Sequence, residues 1–447
     1  VERHTTAGVQ FDGTLVQRWA DACVDRLRVV APRIDALNVF PVADADTGQN
    51  VTFTLLGGRE AVAASPTQHL GEAVRLLAAG SLRQARGSSG VIVSGWFAGL
   101  AAGLADHATS DVTRLADALG MAAAGARQVV ADPWPGTVLE VAQQVADAVA
   151  ARPSHTMATV LPEALDAVRA RLAETSAHHP VLRSAGVIDA GACALLVVLE
   201  VLAGLLGTSP PAGAWLPEAG VEPHQPDQSG GAFEVMLHIT VEVDRGRLAA
   251  TGSAAALTGL GDEWRTHVHT DDPATAVGLV APDQLRLGVV RAITSAPGGP
   301  VVVTADTGLV AWYAAAGAVV VVPGGAVVPG HLRALVAAAG AHVLATDPEL
   351  AAMASAMTCD PVRAAVACTA ADEGADVAAA VHRVRTAETT DLGPVLAGLL
   401  VDGGEVLTVV APAGADLVAV RDLAASCGLE LVLVGPASGP TWRLGVD

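Results

Sequence analysis

The 447 residues exceed what a single hydrophobic core usually serves, so two to four domains are expected. Hydrophobic residues make up 51% and charged residues 16%, which excludes a disordered tail, and the 3% aromatic content leaves the cores to Ala, Val and Leu. All 26 basic residues are arginine, which removes mechanisms built on a P-loop lysine, a Schiff base or a kinase strand lysine, and the net charge of -20 argues against broad nucleic-acid binding.

Along the chain, Val1–Gly13 has no basic head before an apolar run, so no signal peptide is expected. Residues 14 to about 206 then read as helices. Leu15, Trp19, Cys23 and Leu27 recur every four residues with Arg18, Asp21 and Asp25 between them. Helical text continues over Val51–Ala64, Leu70–Ala79, Gly90–Ala105, Thr113–Val130, Thr137–Ala151, Met157–Ala177 and Ala190–Leu206. Eight antiparallel helices with short loops fit this pattern. The most apolar stretches, Val187–Leu206 and Gly308–Val322, contain acidic residues or stop at a proline, so no membrane span is expected.

Gly207–Gly231 is rich in proline and glycine and reads as a linker. Val235–Val243 and the surroundings of His267–His269 alternate as strands, giving a small α/β middle domain to about residue 296. After a second break at Ala296–Pro300, Val301–Thr304, Ala318–Val322, His342–Ala345, Val406–Val410 and Leu429–Val434 alternate with helical text. That order predicts a C-terminal α/β domain with a parallel sheet. The expected domains are 1–207, 208–296 and 297–447. Five dispersed cysteines (Cys23, Cys193, Cys359, Cys368, Cys427) fit buried thiols in a reducing compartment, and an acidic surface fits a cytoplasmic protein.

Chemistry concentrates between the first two helices, in Leu37–Asn50. Asp44 and Asp46 are separated by one small residue, and two carboxylates so close repel unless a cation lies between them. Oxygen ligands with room for water suit Mg²⁺, which commonly arrives with phosphates. Thr47, Gly48 and Asn50 then offer hydroxyl, backbone N–H and amide donors to those phosphates. The alternative is an acidic, solvated turn. Ala85-Arg86-Gly87-Ser88-Ser89-Gly90 precedes a helix expected to begin near Val91, where exposed N–H groups and the helix dipole favour an anion. A serine-capped helix is the plainer reading of that stretch.

Leu37–Asn50 resembles the loop L-N-V-F-P-V-P-D-G-D-T-G-T-N of the DhaL-like domain, named after the L subunit of dihydroxyacetone kinase. The likeness is strongest to that domain in the catalytic subunit of bacterial fatty-acid kinase. Ala85–Ser94 is similar to its A-R-G-N-S-G-V-I-L-S, Gly136–Leu139 to G-T-I-L, and Gly186–Gly191 to G-V-V-D-A-G. Thr266–Pro273 resembles the H-V-H-T-N-D-P of the same proteins' middle domain. Thr304–Gly325 and Gly439–Trp442 resemble the start and end of their C-terminal domain more loosely.

The resemblance implies an all-helical ATP–Mg²⁺ site in a cytoplasmic kinase of phospholipid metabolism. Asp44 and Asp46 would be the catalytic metal ligands, with Asn38 a third. Thr47, Gly48, Asn50, Ser88, Ser89 and Gly90 would line the phosphates, and Thr137 and Asp189 would lie near the nucleoside. The acceptor would be a fatty-acid carboxylate presented by a DegV-like lipid-binding protein. Catalysis by positioning and charge neutralisation needs no lysine. Neither a nucleic-acid partner nor a membrane span is implied, and a homodimer is left open. Two other readings are a phosphotransferase acting on a small polyol or ketone and a non-catalytic nucleotide-binding scaffold.

This chain departs from the family at Ala43, Ala45, Gln49 and Pro135, and Cys193 stands in a run that is usually glycine-rich. If the family glycine at position 45 needs positive φ, Ala45 is strained. His267 and His269 share one strand face, a competent spacing for metal. The family's thiolate ligand is missing near Ala232 or Phe233, and His238 is its one substitute. Exposed strand histidines with weak or no zinc binding are therefore expected.

Overall fold

The computed structural model describes residues 9–207, 209–218, 231–294, 298–338, 342–358 and 360–447. Most of the expected linker, Ala296 and Pro297 of the second break, and Cys359 lie outside the described residues.

A two-residue strand, β1 (Phe11–Asp12), leads into α1 (Gly13–Asp35), and Asp12 caps that helix by accepting the Leu15 N–H. Then come α2 (Thr47–Ala64), α3 (Leu70–Arg83), α4 (Gly87–Leu104), β2 (Thr109–Ser110, paired with β1) and α5 (Val112–Val129). The helical part closes with α6 (Val138–Ala150), α7 (Met157–Arg169), the short α8 (Leu172–Ser176) and α9 (Pro180–Ala185), and α10 (Ala190–Leu206). The long helix expected over Met157–Ala177 is interrupted at Ala170–Arg171, and α9 has no counterpart among the helices expected from sequence.

The apolar repeat of α1 extends to Val16, Ala20, Val24 and Ile34, all buried. Its partner is α10, which is apolar on every side and almost wholly buried, so it serves as the central core helix. Trp19 Nε1 donates to the Val198 carbonyl at 2.8 Å and ties the two helices. Glu200 is the one charge in α10. It accepts from Arg169 Nη1 (2.6 Å), Trp215 Nε1 (2.7 Å) and Gly213 N (2.7 Å), so the buried carboxylate is fully compensated. Among the described residues, α4 alone is long and apolar enough to cross a membrane, and it packs into the helical core instead. Among the described residues, none of the four cysteines forms a disulfide.

After the helices come β3 (Phe233–Ile239), α11 (Arg245–Ala250), β4 (Ser253–Leu260), β5 (Glu263–Thr270), α12 (Pro273–Val277) and β6 (Leu285–Ala292). Next in the chain are β7 (Val301–Val303), α13 (Val310–Ala315), β8 (Val319–Pro323), α14 (Pro329–Ala338), β9 (Val343–Ala345), α15 (Pro348–Ala354) and β10 (Met357–Thr358). These strands run in the order β10-β9-β7-β8-β6-β3-β5-β4, with β7 to β10 parallel and β6 antiparallel to both β3 and β8.

The chain ends with α16 (Pro361–Asp372), α17 (Val377–Arg383), β11 (Arg385–Thr389), α18 (Leu392–Leu399), β12 (Val406–Pro412), α19 (Leu417–Cys427), β13 (Glu430–Ala437) and β14 (Trp442–Val446). They form a separate mixed sheet, β11-β14-β12-β13, so the single parallel C-terminal sheet expected from sequence is corrected to two sheets.

Contacts divide the chain into two compact units. The first holds the helices together with Asp244–Ala249 and Ser253–Val268; the second holds the remaining strands and helices. Most of the β4–β5 hairpin thus belongs to the helical unit, where β4 packs on α4 and Ala256 bridges to Val130.

Candidate functional site

Leu37 and Val42, both buried, anchor the loop between α1 and α2. Asn38 is buried between them. Its Nδ2 donates to the Val42 carbonyl (3.1 Å) and to Asp44 Oδ1, and its Oδ1 accepts from the Thr47 hydroxyl (2.7 Å). Asp46 occupies the N-cap position of α2 but makes no capping bond with its side chain. The cap comes from Asp35, which accepts from Gly48 N (2.6 Å) and Gln49 N (3.3 Å). Asp46 Oδ1 accepts instead from Asn50 Nδ2 at 2.7 Å. Both loop carboxylates are therefore oriented by asparagine amides.

The Gly48 N–H, expected to face a phosphate, is given to Asp35. Sequence reasoning does not single out Asp35, although an acid in the last turn of a helix opposes the dipole and invites explanation. Burial pushes its pKa up to about 6 against the lowering pull of the Gly48 and Gln49 donors, with Asp46 adding repulsion.

Ala45 has φ +53°, the left-handed conformation that the family's glycine implies. A Cβ there costs roughly 1–2 kcal/mol, partly offset by the greater freedom of glycine in the unfolded chain. Ala45→Gly is expected to raise stability by about 0.5–1 kcal/mol, read from the urea midpoint at constant m-value. An unchanged or lower midpoint would remove the strain assignment.

The second stretch meets the first. α4 begins at Gly87, not near Val91, so Ser88, Ser89 and Gly90 form its first turn, and the N-cap residue Arg86 makes no side-chain capping bond. Gly87 has φ +59°, and a Cβ on it would sit 2.3 Å from Asn50 Nδ2; one on Gly90 would sit 2.4 Å from Thr54 Oγ1. Only glycine lets the start of α4 lie against α2 here. A cleft of about 590 Å³ opens beside the loop, with Arg28, Asp35, Asn38, Ala45, Gln49 and Phe53 among its walls.

Thr137 and Asp189 lie together as helix caps. Thr137 starts α6, accepting from Leu139 N and donating to the Trp134 carbonyl at 3.0 Å. Asp189 starts α10, and its Oδ1 accepts both Ala192 N (2.7 Å) and Val138 N (2.8 Å), which draws the two helix N-termini together. Its pKa is pushed up to about 6 by burial, against those two donors. Phe40 connects the acidic loop to this region, its ring lying 4.0 Å from His179 and 6.4 Å from Trp134. His179 is buried, and burial together with Arg183 lowers its pKa, so the ring is neutral near pH 7. Sequence reasoning passes over both Trp134 and His179, although aromatics are sparse enough here for a trio to carry weight.

On β5, His267 and His269 are buried, which corrects the expectation of exposed histidines. Glu234 on β3 is also buried and pairs with Arg291. His267 Nδ1 lies 3.1 Å from the Ala254 carbonyl.

The DAK2 domain family matches residues 41–204. Protein YloV of Bacillus subtilis is 32% identical over 290 residues, 60% of this chain and 52% of that protein. An uncharacterised protein of Staphylococcus saprophyticus is 34% identical over 195 residues, 42% of this chain and 35% of its own length. Another, from Staphylococcus aureus USA300, is 33% identical over 174 residues, 38% and 31% of the respective lengths. The chain spans about half or less of the length of these relatives.

Proposed function

We infer, from the premise that this chain is a DhaL-like (DAK2) domain protein and so carries a kinase-type phosphotransferase domain, that it passes the γ-phosphoryl group of ATP to a fatty-acid carboxylate. The observation that carries this reading is the pair of amide-oriented carboxylates, Asp44 and Asp46, just before α2, whose Asn50 and Thr54 lie against the glycines that open α4.

Asp44 and Asp46 would hold Mg²⁺, whose charge neutralises the phosphates. Asn38 and Thr47, already bonded to the loop, would keep Asp44 aligned. Ser88 and Ser89 would present hydroxyls and N–H groups to the phosphates at the positive end of the α4 dipole, while Gly90, whose N–H is given to the Arg86 carbonyl, would keep the turn close to α2. Thr137 and Asp189 would border the nucleoside. An acyl carboxylate is already nucleophilic at pH 7, so the chain need supply alignment rather than a strong base. The carboxylate oxygen bonds to the γ-phosphorus as the bond to the ADP oxygen breaks, giving acyl phosphate.

The acceptor is proposed to arrive on a separate DegV-like lipid-binding protein, because among the described residues no loop outside the helical unit presents a recognisable nucleophile or acid–base pair. Acyl-phosphate formation from ATP is expected to be at least about 100-fold faster with the lipid-loaded partner than with free fatty acid, the scale that alignment commonly supplies. Equal rates without the partner would remove the two-component reading. Transfer to dihydroxyacetone would favour the small-substrate phosphotransferase, and ATP binding without any transfer the scaffold.

A further inference from the structure

The β4–β5 hairpin lies outside the DAK2 match, yet Ser253–Val268 belongs to the helical unit, as does Asp244–Ala249 just before it. The segment brings two arginines to the ends of two helices. Arg265, on β5, donates from Nε to the Leu82 carbonyl at 3.0 Å and from Nη2 to the Arg83 carbonyl, the last residues of α3. Arg245, on α11, donates from Nη1 to the Val129 carbonyl (3.2 Å), the last residue of α5, and to the Leu257 carbonyl (3.1 Å) within the hairpin. Carbonyls at a helix C-terminus have no partner within the helix, and a guanidinium there satisfies them while complementing the dipole. The planar fork of arginine can hold two carbonyls at once, whereas a lysine ammonium is a single point charge.

Each of these helix ends leads directly into a turn of the candidate site. Only Gln84, Ala85 and Arg86 separate α3 from Gly87, so the end of α3 sets where the first turn of α4 points. The end of α5 leads into the turn that carries Trp134, Gly136 and Thr137. Glu263 pairs with Arg83 at 3.4 Å beside Arg265 and adds a second tie to the same helix end.

We propose that Arg265 and Arg245 are positioning residues for nucleotide binding: from Asp244–Ala249 and Ser253–Val268 they fix the two turns that face the phosphates and the nucleoside. The inference rests on the nucleotide reading of the helical unit. It also implies that a fragment ending at residue 207 lacks part of its own site.

The test uses the full chain with Arg265→Met, Arg245→Met and Arg265→Lys, measuring Mg²⁺-ATP affinity by calorimetry and, where transfer is seen, the KM for each substrate. Arg265→Met is expected to weaken ATP affinity at least about 10-fold, with the acceptor KM unchanged, because a loop displaced by about 1 Å loses alignment on that scale. Arg245→Met should act in the same direction, and Arg265→Lys should recover part of the loss. ATP affinity unchanged in a folded Arg265→Met protein, even with a lower Tm, would overturn the proposal and leave a structural clamp. Should Arg265→Met fail to fold, Arg265→Lys and Arg245→Met decide the matter by the same readout. Absence of ATP binding in the unmutated chain would overturn the nucleotide reading itself.

Discussion

Replacing Asp44 and Asp46 together by asparagine is expected to abolish the rise in melting temperature that Mg²⁺-ATP gives the full chain. A ligand present at 100 times its Kd stabilises the native state by about 2.7 kcal/mol, which in a large domain corresponds to a rise of several degrees. Both carboxylates already accept amide donors, from Asn38 and Asn50, so the loop does not depend on metal for its shape. In the double variant, side-chain amides face amides, and the oxygen charge that attracts Mg²⁺ is gone. Without ligand the melting temperature should hold or rise slightly, since two neighbouring negative charges have been removed. Helical content should not change. A full ATP-dependent shift in the double variant would remove the metal assignment and leave the loop as a solvated acidic turn.

The elements legible in the sequence are those whose burial repeats with a clear period. The four-residue recurrence of Leu15, Trp19, Cys23 and Leu27 does mark a buried helix face, and the short apolar runs at Val301 and Val319 are strands buried within the sheet. Illegible elements lack such a period. β4 reads Ser-Ala-Ala-Ala-Leu, which favours helix on propensity, and only its pairing within the sheet makes it a strand. β11, Arg-Thr-Ala-Glu-Thr, lies at a sheet edge and carries little apolar signal.

Within the site, the acidic loop announces itself because its residues are adjacent in the chain. Asp35 and Arg265 do not. Each acts on backbone groups of a different element, 13 residues away for the Asp35–Gly48 bond and 183 for the Arg265–Leu82 bond, and no spacing rule connects them.

Asp189→Asn is expected to make the protein more stable at pH 8 than at pH 4, relative to the unmutated chain. The Asp189 carboxyl titrates near 3.8 when exposed and at about 6 in the fold. Between those values the native state holds more protons than the unfolded state, so this group's contribution to stability is complete below pH 3.8 and is lost as pH rises through 6. About two pKa units correspond to roughly 3 kcal/mol, an upper bound on the cost of keeping the buried carboxylate ionised. An asparagine Oδ1 can accept the same Val138 and Ala192 N–H groups, while its NH₂ adds a donor in need of a partner, which costs about 1–3 kcal/mol if unmet. That second cost does not vary with pH. The difference in unfolding free energy between variant and parent should therefore move in favour of the variant by about 2–3 kcal/mol from pH 4 to pH 8, whatever its absolute level. Asp35, also raised to about 6, and His179, whose lowered pKa acts in the opposite direction, are common to both proteins and largely cancel. A difference flat with pH would show that Asp189 is not held ionised against burial. A rising difference accompanied by lost ATP affinity would mean that the chain retains a destabilising carboxylate for its ligand; the same rise with affinity intact would reduce Asp189 to a helix cap.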